Sequence, residues 1–243
     1  VTATSVTGSL NLLGGYSLAY ILAAMTAGLA VLLVLPAREK VHPPRRPSLA
    51  GIGRLVTRKD VLLPSLLAAV LQYVVCAVTF SFMPILAERL GATDITQSML
   101  MSLHVGLVAL GSFVTAAIVR RLGALRLVYA TFLLLIAGTA TTALAPSLAL
   151  VFVAQFFLGV ARGLGYPVLM GMSIQDVADA QRTTAMGLHQ WVYAIGMFAG
   201  PWLSGVLADT VGIRPMLGVT AAACLMASLF LIHLLPQSRT GTV

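Results

Sequence analysis

The sequence predicts an all-α membrane protein, a polytopic bundle of seven transmembrane helices. Of its 243 residues, 59% are hydrophobic and only 9% are charged, whereas soluble domains carry roughly 25% charged residues. The apolar residues form seven long runs, and most connections between these runs are very short. A soluble protein of this composition would expose apolar patches that promote aggregation, so a lipid bilayer is the predicted surrounding.

Each predicted helix follows from the length of its apolar run, because about 20 residues cross roughly 30 Å of hydrocarbon as an α-helix. The predicted spans are residues 16–35, 61–86, 95–119, 125–145, 147–174, 185–208 and 213–235. Short loops make consecutive helices antiparallel neighbours, which predicts an up-and-down bundle.

Residues 36–60 form the one long connection, and their many prolines and basic residues predict a solvated linker. Positively charged loops stay on the cytoplasmic side of a membrane. With the linker inside, the basic residues that lie inside are Arg38, Lys40, Arg45, Arg46, Arg54, Arg58, Lys59, Arg120, Arg121, Arg126, Arg182 and Arg239, and those outside are Arg89 and Arg214. We therefore expect an external N-terminus and a cytoplasmic C-terminus, in a bacterial inner membrane.

A spacing of glycine and leucine occurs twice in the chain. Gly8, Leu10 and Gly15 recur with the same intervals as Gly205, Leu207 and Gly212, and each set precedes an apolar span that ends at proline. Such a match also arises by chance in a chain rich in glycine and leucine. If it reflects a repeat, the last helix pair has an earlier copy, and because residue 1 is valine we expect most of that copy upstream.

The run GMFAGPWLSGVLADTVGIR resembles the eleventh helix and the following loop of major facilitator superfamily transporters. The residues that carry this resemblance are Gly196, Gly200, Pro201, Gly205, Asp209, Gly212 and Arg214. VRRLGALR, with Arg121 and Gly123, is similar to the family's short basic loop between the eighth and ninth helices. In the family, that loop usually has an acidic residue at the position of Arg120. This departure weakens the prediction that the loop takes part in gating.

The resemblance implies how the chain is organised. Residues 1–35 correspond to the end of the fifth helix and the sixth helix of an incomplete N-terminal half, 36–60 to the cytoplasmic linker, and 61–243 to the C-terminal six-helix half. Such proteins hold substrate near the midplane and alternate access by rocking one half against the other. The implied partners are the bilayer, a small-molecule substrate, protons as coupling ion and the missing N-terminal half.

Arg162 is the most informative candidate site residue, because it lies in the middle of the predicted span 147–174. A charge at that depth is costly and normally faces a cavity or a partner charge. Two interpretations stay open: Arg162 binds an anionic substrate group or couples to a carboxylate during proton exchange, or it holds neighbouring polar groups together. Tyr166 follows one helical turn later and is expected to share the site.

Other polar residues within the spans are candidates for substrate contact. They are Gln72, Tyr73, His104, Gln155, His189, Gln190, Trp191 and Tyr193. The resemblance ranks Gln72 and Tyr73 with Arg162 and Tyr166, because their helices correspond to cavity-lining helices of the family. His104 serves either as a proton relay or as an uncharged packing residue. Asp209 and Arg214 are expected to form an ion pair at the outer loop.

Secondary transport is the predicted function, as proton-coupled export of a small amphipathic compound. The direction rests on the glycine-proline pattern of the span 185–208, so nutrient uptake stays open. A seven-helix receptor or sensor has the same topology and is the alternative. A retinal protein is excluded, because both lysines, Lys40 and Lys59, lie in the linker rather than in a span.

The sequence argues against several other classes. A membrane enzyme needs a nucleophile, a metal cluster or paired carboxylates within the spans, and none of these patterns occurs there. No cofactor or metal site is therefore predicted. The net charge of +8 does not indicate nucleic-acid binding, because the basic residues occupy gaps between apolar runs instead of one folded face.

Overall fold

The computed structural model describes the backbone of residues 2–35 and 49–235, and the side chains of residues 17, 18, 20–35 and 53–235. In those ranges all regular structure is helical, which confirms the predicted all-α fold class. The elements are α1 (Thr2–Val34), α2 (Leu49–Thr57), α3 (Lys59–Val74), a π-helical segment (Val75–Phe82), α4 (Met83–Arg89), α5 (Asp94–Leu122), α6 (Ala124–Leu144), α7 (Leu148–Ile174), α8 (Asp179–Val211) and α9 (Ile213–His233).

Six stretches of the described chain are long and apolar enough to cross a bilayer. One of them, Lys59–Arg89, joins α3, the π-helical segment and α4, and the others are α5 to α9. The apolar part of α1 is shorter and covers Tyr20–Val34. Lys59–Arg89 and α8 extend beyond the predicted 61–86 and 185–208, because charged residues at a membrane surface continue a helix that hydropathy alone would end.

Helix α1 runs without interruption from Thr2 to Val34 and contacts α5. The resemblance places the end of one helix and the start of the next near Gly14 and Gly15, and the described backbone has no turn there. Glycine only weakens a helix, by about 1 kcal/mol relative to alanine, so an apolar run continues through the pair.

Two of the motif glycines each form a one-residue turn between consecutive helices. Gly123 ends α5 and Gly212 ends α8, and the next helix begins at the following residue in each case. Their φ angles are 81° and 89°, a left-handed conformation that glycine adopts without a steric penalty. Each amide donates to the carbonyl four residues earlier, at 2.9 Å. These residues therefore keep consecutive helices adjacent and antiparallel.

Arg214 binds the C-terminal end of α6 and not Asp209, which corrects the expected ion pair. Its Nη1 donates to the Ala143 carbonyl at 3.1 Å and its Nη2 to the Ala145 carbonyl at 2.7 Å. The last carbonyls of a helix lack intrahelical donors and carry partial negative charge, so a guanidinium is a favourable partner for them.

The linker is not solvated throughout, because part of it forms α2. Leu55 of α2 is only 1% exposed. It packs in a small apolar cluster with Val61, Val177, Ala185, Leu188 and Val192. Beside it, Arg58 forms an ion pair with Asp60 and donates to the Asp176 carbonyl at 2.9 Å. The hydrogen bonds that Arg58 donates to the Asp60 carboxylate raise the pKa of Arg58. The end of the linker is thus attached to α8; residues 36–48 lie outside the described chain.

The bundle is centred on α3 and α7. Helix α3 packs on α8 and α7, while α7 also packs on α5 and α6. Small residues permit these contacts: Gly196 and Gly200 of α8 lie against the α3 backbone, and Gly163 of α7 lies against Gly111 of α5. Close backbone approach through glycine is a common way for membrane helices to associate, because the bilayer supplies no hydrophobic force between them.

Candidate substrate site

The candidate site is centred on Arg162, near the middle of α7. Its guanidinium carbon lies 5.3 Å from the centre of the Phe80 ring. Arg162 is partly exposed, and among the described side chains it forms no ion pair with a carboxylate. Aspartate and glutamate are confined to the helix ends and the linker. An arginine at this depth is therefore balanced in the described chain by an aromatic ring and not by a charge.

The π-helical segment places Phe80 next to Arg162. Within that segment the Ser81 hydroxyl donates to the Cys76 carbonyl, five residues earlier, at 2.9 Å. A π-helix takes more residues per turn than an α-helix, so it rotates the following side chains relative to the rest of the span, and such segments are frequent at functional sites. Phe80 is 43% exposed on the resulting surface.

His104 of α5 supports Phe80 from behind. The two rings meet edge to face, with their centres 5.8 Å apart. His104 is fully buried, and neither of its ring nitrogens has a hydrogen-bond partner among the described residues. Sequence analysis placed His104 among the substrate contacts, whereas the structure gives it a position behind the exposed ring.

Two tyrosines extend the site along α7 and α8. The Tyr166 ring lies perpendicular to the Tyr193 ring at 6.0 Å, and Tyr193 in turn contacts His189 at 6.2 Å. Both tyrosines are partly exposed, and both interact electrostatically with Arg162. We call Arg162, Phe80, Tyr166 and Tyr193 the Arg162 cluster. It brings together the π-helical segment, α7 and α8.

Tyr73 and His189 lie in the seam between α3 and α8, and His189 also touches Tyr193 of the cluster. The Tyr73 hydroxyl shares a hydrogen bond with Ser204 at 3.1 Å, and the Ser65 hydroxyl lies 3.1 Å from Nδ1 of His189. Gln72 is buried, and its Oε1 has no partner among the described atoms. The structure thus uses Tyr73 and His189 to join two helices.

The remaining candidates lie away from the cluster. Gln155 is buried and donates from Nε2 to the Leu100 carbonyl at 3.3 Å. It lines a cavity of about 60 Å³ together with Thr79 and Gln97. Gln190 is exposed, and Trp191 is 66% exposed. The described contacts connect none of these side chains to Arg162.

With this geometry established, comparison with protein families identifies the chain. A family profile described as Major Facilitator Superfamily matches residues 65–243. The chain belongs to the Major Facilitator Superfamily. Because this is a family of membrane transporters, the match agrees with the spanning helices and supports transmembrane transport as the function. The matched region contains the whole Arg162 cluster.

The α8 residues that resemble the superfamily motif have different structural roles. Gly196 and Gly200 permit the contact with α3, whereas a Cβ at Gly205 would meet no atom within 4 Å. Pro201 lies inside the helix next to Gly200. Gly212 and Arg214 form the turn and the contact to α6 described above, while Asp209 is exposed. At the other motif, Gly123 makes the turn, and Arg121 is exposed in the last turn of α5.

Phe80 is the site residue that sequence analysis missed. It lies in an apolar run, and nothing in the hydropathy of that run marks a π-helical segment. Tyr193 was among the polar candidates of the sequence, but it was not ranked with Arg162 and Tyr166. Its signal was the spacing of four residues from His189, which places both side chains on one face of α8.

Proposed function

We propose that this chain supplies one wall of the central cavity of a proton-coupled secondary transporter and that the Arg162 cluster contacts the substrate. The observation that carries the proposal is the stacking of Arg162 on Phe80 without a carboxylate partner in the described chain. Burying an arginine at the centre of a membrane helix costs at least about 2.5 kcal/mol. A cation–π contact returns about 0.5 to 2 kcal/mol, so retaining the charge is best explained by a functional role.

The opposite wall of the cavity is proposed to come from an N-terminal half that precedes this one. The glycine-leucine repeat and the resemblance of residues 36–60 to the family's cytoplasmic linker support this part of the proposal. Aspartate and glutamate in the chain lie only at helix ends or in the linker, so a carboxylate that exchanges protons is expected in that preceding half. The orientation proposed is an external N-terminus and a cytoplasmic C-terminus in a bacterial inner membrane, supported by the distribution of Lys and Arg.

Export of a small amphipathic compound is the proposed direction and substrate type. The crowding of Gly196, Gly200 and Pro201 in α8 supports export, because it resembles the pattern of exporters. The partly exposed aromatic rings around Arg162 support a substrate with an apolar body. Neither the ring lining nor the single charge favours a highly hydroxylated solute, which needs many hydrogen-bonding side chains.

Proteoliposomes that contain the complete 243-residue chain, alone and with a candidate N-terminal half, test this proposal. An imposed pH gradient is expected to drive uptake of an amphipathic probe, and Arg162→Gln is expected to lower the rate by about tenfold or more, since a charge-assisted hydrogen bond contributes roughly 1.5 to 3 kcal/mol. Arg126→Gln, at the exposed start of α6, is the control. A flux that ignores the pH gradient would contradict proton coupling, and an unaffected Arg162→Gln rate would contradict the assignment of the site.

A further inference from the structure

We infer that the Arg162 cluster binds a monoanionic compound with a flat, aromatic body. This inference rests on the proposed transport function and names the substrate class of the same site. It follows from three features of the cluster: how the guanidinium is covered, how many cations lie within the spans, and which surfaces surround them.

The first feature is the surroundings of the guanidinium. Its central carbon lies over the face of the Phe80 ring, 5.3 Å from the ring centre, in a cation–π contact. The N–H donors of a guanidinium form a planar fork that matches a carboxylate or sulfonate. The described structure gives those donors no carboxylate partner. The Phe80 ring therefore helps to hold the group, and its donors are available to an anion.

The second feature is the number of cations. Every other Arg or Lys in the described helices lies at or near a helix end, namely Arg54, Lys59, Arg89, Arg120, Arg121, Arg126, Arg182 and Arg214. A monoanion would neutralise Arg162. A dianion such as a phosphate monoester would leave one negative charge uncompensated at a depth where charge is costly. For the wall of the cavity that this chain supplies, the charge count therefore favours monoanions over dianions.

The third feature is the aromatic lining. Tyr166 and Tyr193 stand perpendicular to each other, and Phe80 is 43% exposed. Aromatic pairs prefer offset or edge-to-face contacts at centroid separations of roughly 4.5 to 7 Å, so an added ring has surfaces to meet here. The His104 ring already packs edge to face against Phe80. The expected ligand thus places its acid group on Arg162 and its ring among the tyrosines.

Binding to the purified full chain in lipid nanodiscs tests the inference with a series of naphthalene compounds. 2-Naphthoate carries one negative charge, 2-naphthol is neutral at pH 7, 2-naphthylmethylammonium is a cation and 2-naphthyl phosphate is largely a dianion. Fluorescence titration of the wild-type chain is expected to give at least about tenfold tighter binding of 2-naphthoate than of the other three, because one charge-assisted pair contributes roughly 1.5 kcal/mol or more.

Two single substitutions test whether 2-naphthoate binds at Arg162. Arg162→Gln is expected to abolish the preference for 2-naphthoate and leave the weak binding of 2-naphthol unchanged, while Arg126→Gln is expected to keep the preference. Equal affinity of the wild-type chain for the acid and the alcohol overturns the inference, and so does a preference that survives in Arg162→Gln. If Arg162→Gln does not fold, the affinities of the wild-type chain for the four naphthalene compounds still test the inference.

The failure of this inference is distinguishable from failure of the proposed function. Selective binding of 2-naphthoate without any gradient-driven flux would refute transport and keep the ligand class. Gradient-driven flux of 2-naphthol or of the cation, without selective binding of the acid, would keep transport and refute the ligand class.

Discussion

Gly196 of α8 lies so close to Ala69 of α3 that a Cβ at Gly196 would come within 2.0 Å of the Ala69 carbonyl oxygen. One turn later the same helix repeats the contact, since a Cβ at Gly200 would lie 2.5 Å from the Tyr73 carbonyl oxygen. Because backbone atoms cannot move aside as side chains do, this seam fixes the distance between two helices that both border the Arg162 cluster.

Gly196→Ala is therefore expected to separate α3 from α8 and to destabilise the protein by about 1 to 3 kcal/mol, the usual cost of overpacking. The measurement is the midpoint of thermal unfolding in detergent. Gly205→Ala is the matched control, because it makes the same change on the same helix where nothing lies within 4 Å. Equal midpoints for the two variants would show that the seam is not close-packed.

The hydrogen bond between Tyr73 and Ser204 makes a smaller contribution. Polar pairs between membrane helices contribute on average about 0.6 kcal/mol, so a double-mutant cycle with Tyr73→Phe and Ser204→Ala is expected to give a coupling energy of that size. Additive effects of the two substitutions in unfolding experiments would mean that the pair does not form. Tyr73→Phe is also expected to leave binding of 2-naphthoate unchanged, because Tyr73 lies outside the cluster.

The attachment of α2 is expected to depend on Leu55. Removing its buried side chain in Leu55→Ala costs roughly 2 kcal/mol or more, and should detach a helix of nine residues. Hydrogen exchange of residues 49–57 is expected to lose most of its protection, while α6 stays protected. Val56→Ala is the control, since Val56 is 41% exposed. Unchanged exchange in Leu55→Ala would contradict the packing of α2 on α8.

Burial of His104 without a hydrogen-bond partner among the described residues leads to an unusual expectation for its removal. A buried polar group without a hydrogen bond costs about 1 to 3 kcal/mol. His104→Leu is therefore expected to raise the stability or leave it unchanged, with 2-naphthoate binding retained because the leucine still supports Phe80. The midpoint of thermal unfolding measures the stability, and fluorescence titration with 2-naphthoate measures the binding. A large loss of stability would reveal that the imidazole has a polar partner. A loss of gradient-driven transport alone would favour the proton relay.

The sequence was sufficient for the parts of the fold that depend on periodicity and length. Apolar runs of adequate length predicted the helices of the region 61–235, and Gly123 and Gly212 marked two of its turns. The ends of Lys59–Arg89 and Asp179–Val211 were placed too far inside, because hydropathy does not register charged residues that continue a helix at the membrane surface.

The candidate site was predictable only in part. The cost of a charge at mid-depth identified Arg162, and helical spacing added Tyr166. Phe80 could not be found in this way, because its position depends on the π-helical segment, which no hydropathy pattern reveals. The family resemblance ranked Tyr73 high, and His189 was a candidate because it is polar. Their hydrogen bonds to Ser204 and Ser65 instead join helices, which only the packing of α3 on α8 reveals.

The most direct test of the central claim asks whether the exposed face of the Arg162 cluster meets water in a membrane. Phe80→Cys and Leu133→Cys are placed separately in a chain whose Cys76 and Cys224 are replaced by alanine, and each is treated with a small water-soluble thiol reagent in proteoliposomes. Leu133 lies near the middle of α6 and is 70% exposed, as expected for a lipid-facing residue. A substrate cavity predicts fast labelling of Phe80→Cys and little labelling of Leu133→Cys. Labelling of Phe80→Cys that is as slow as that of Leu133→Cys would contradict the account, because the Arg162 cluster would then face lipid.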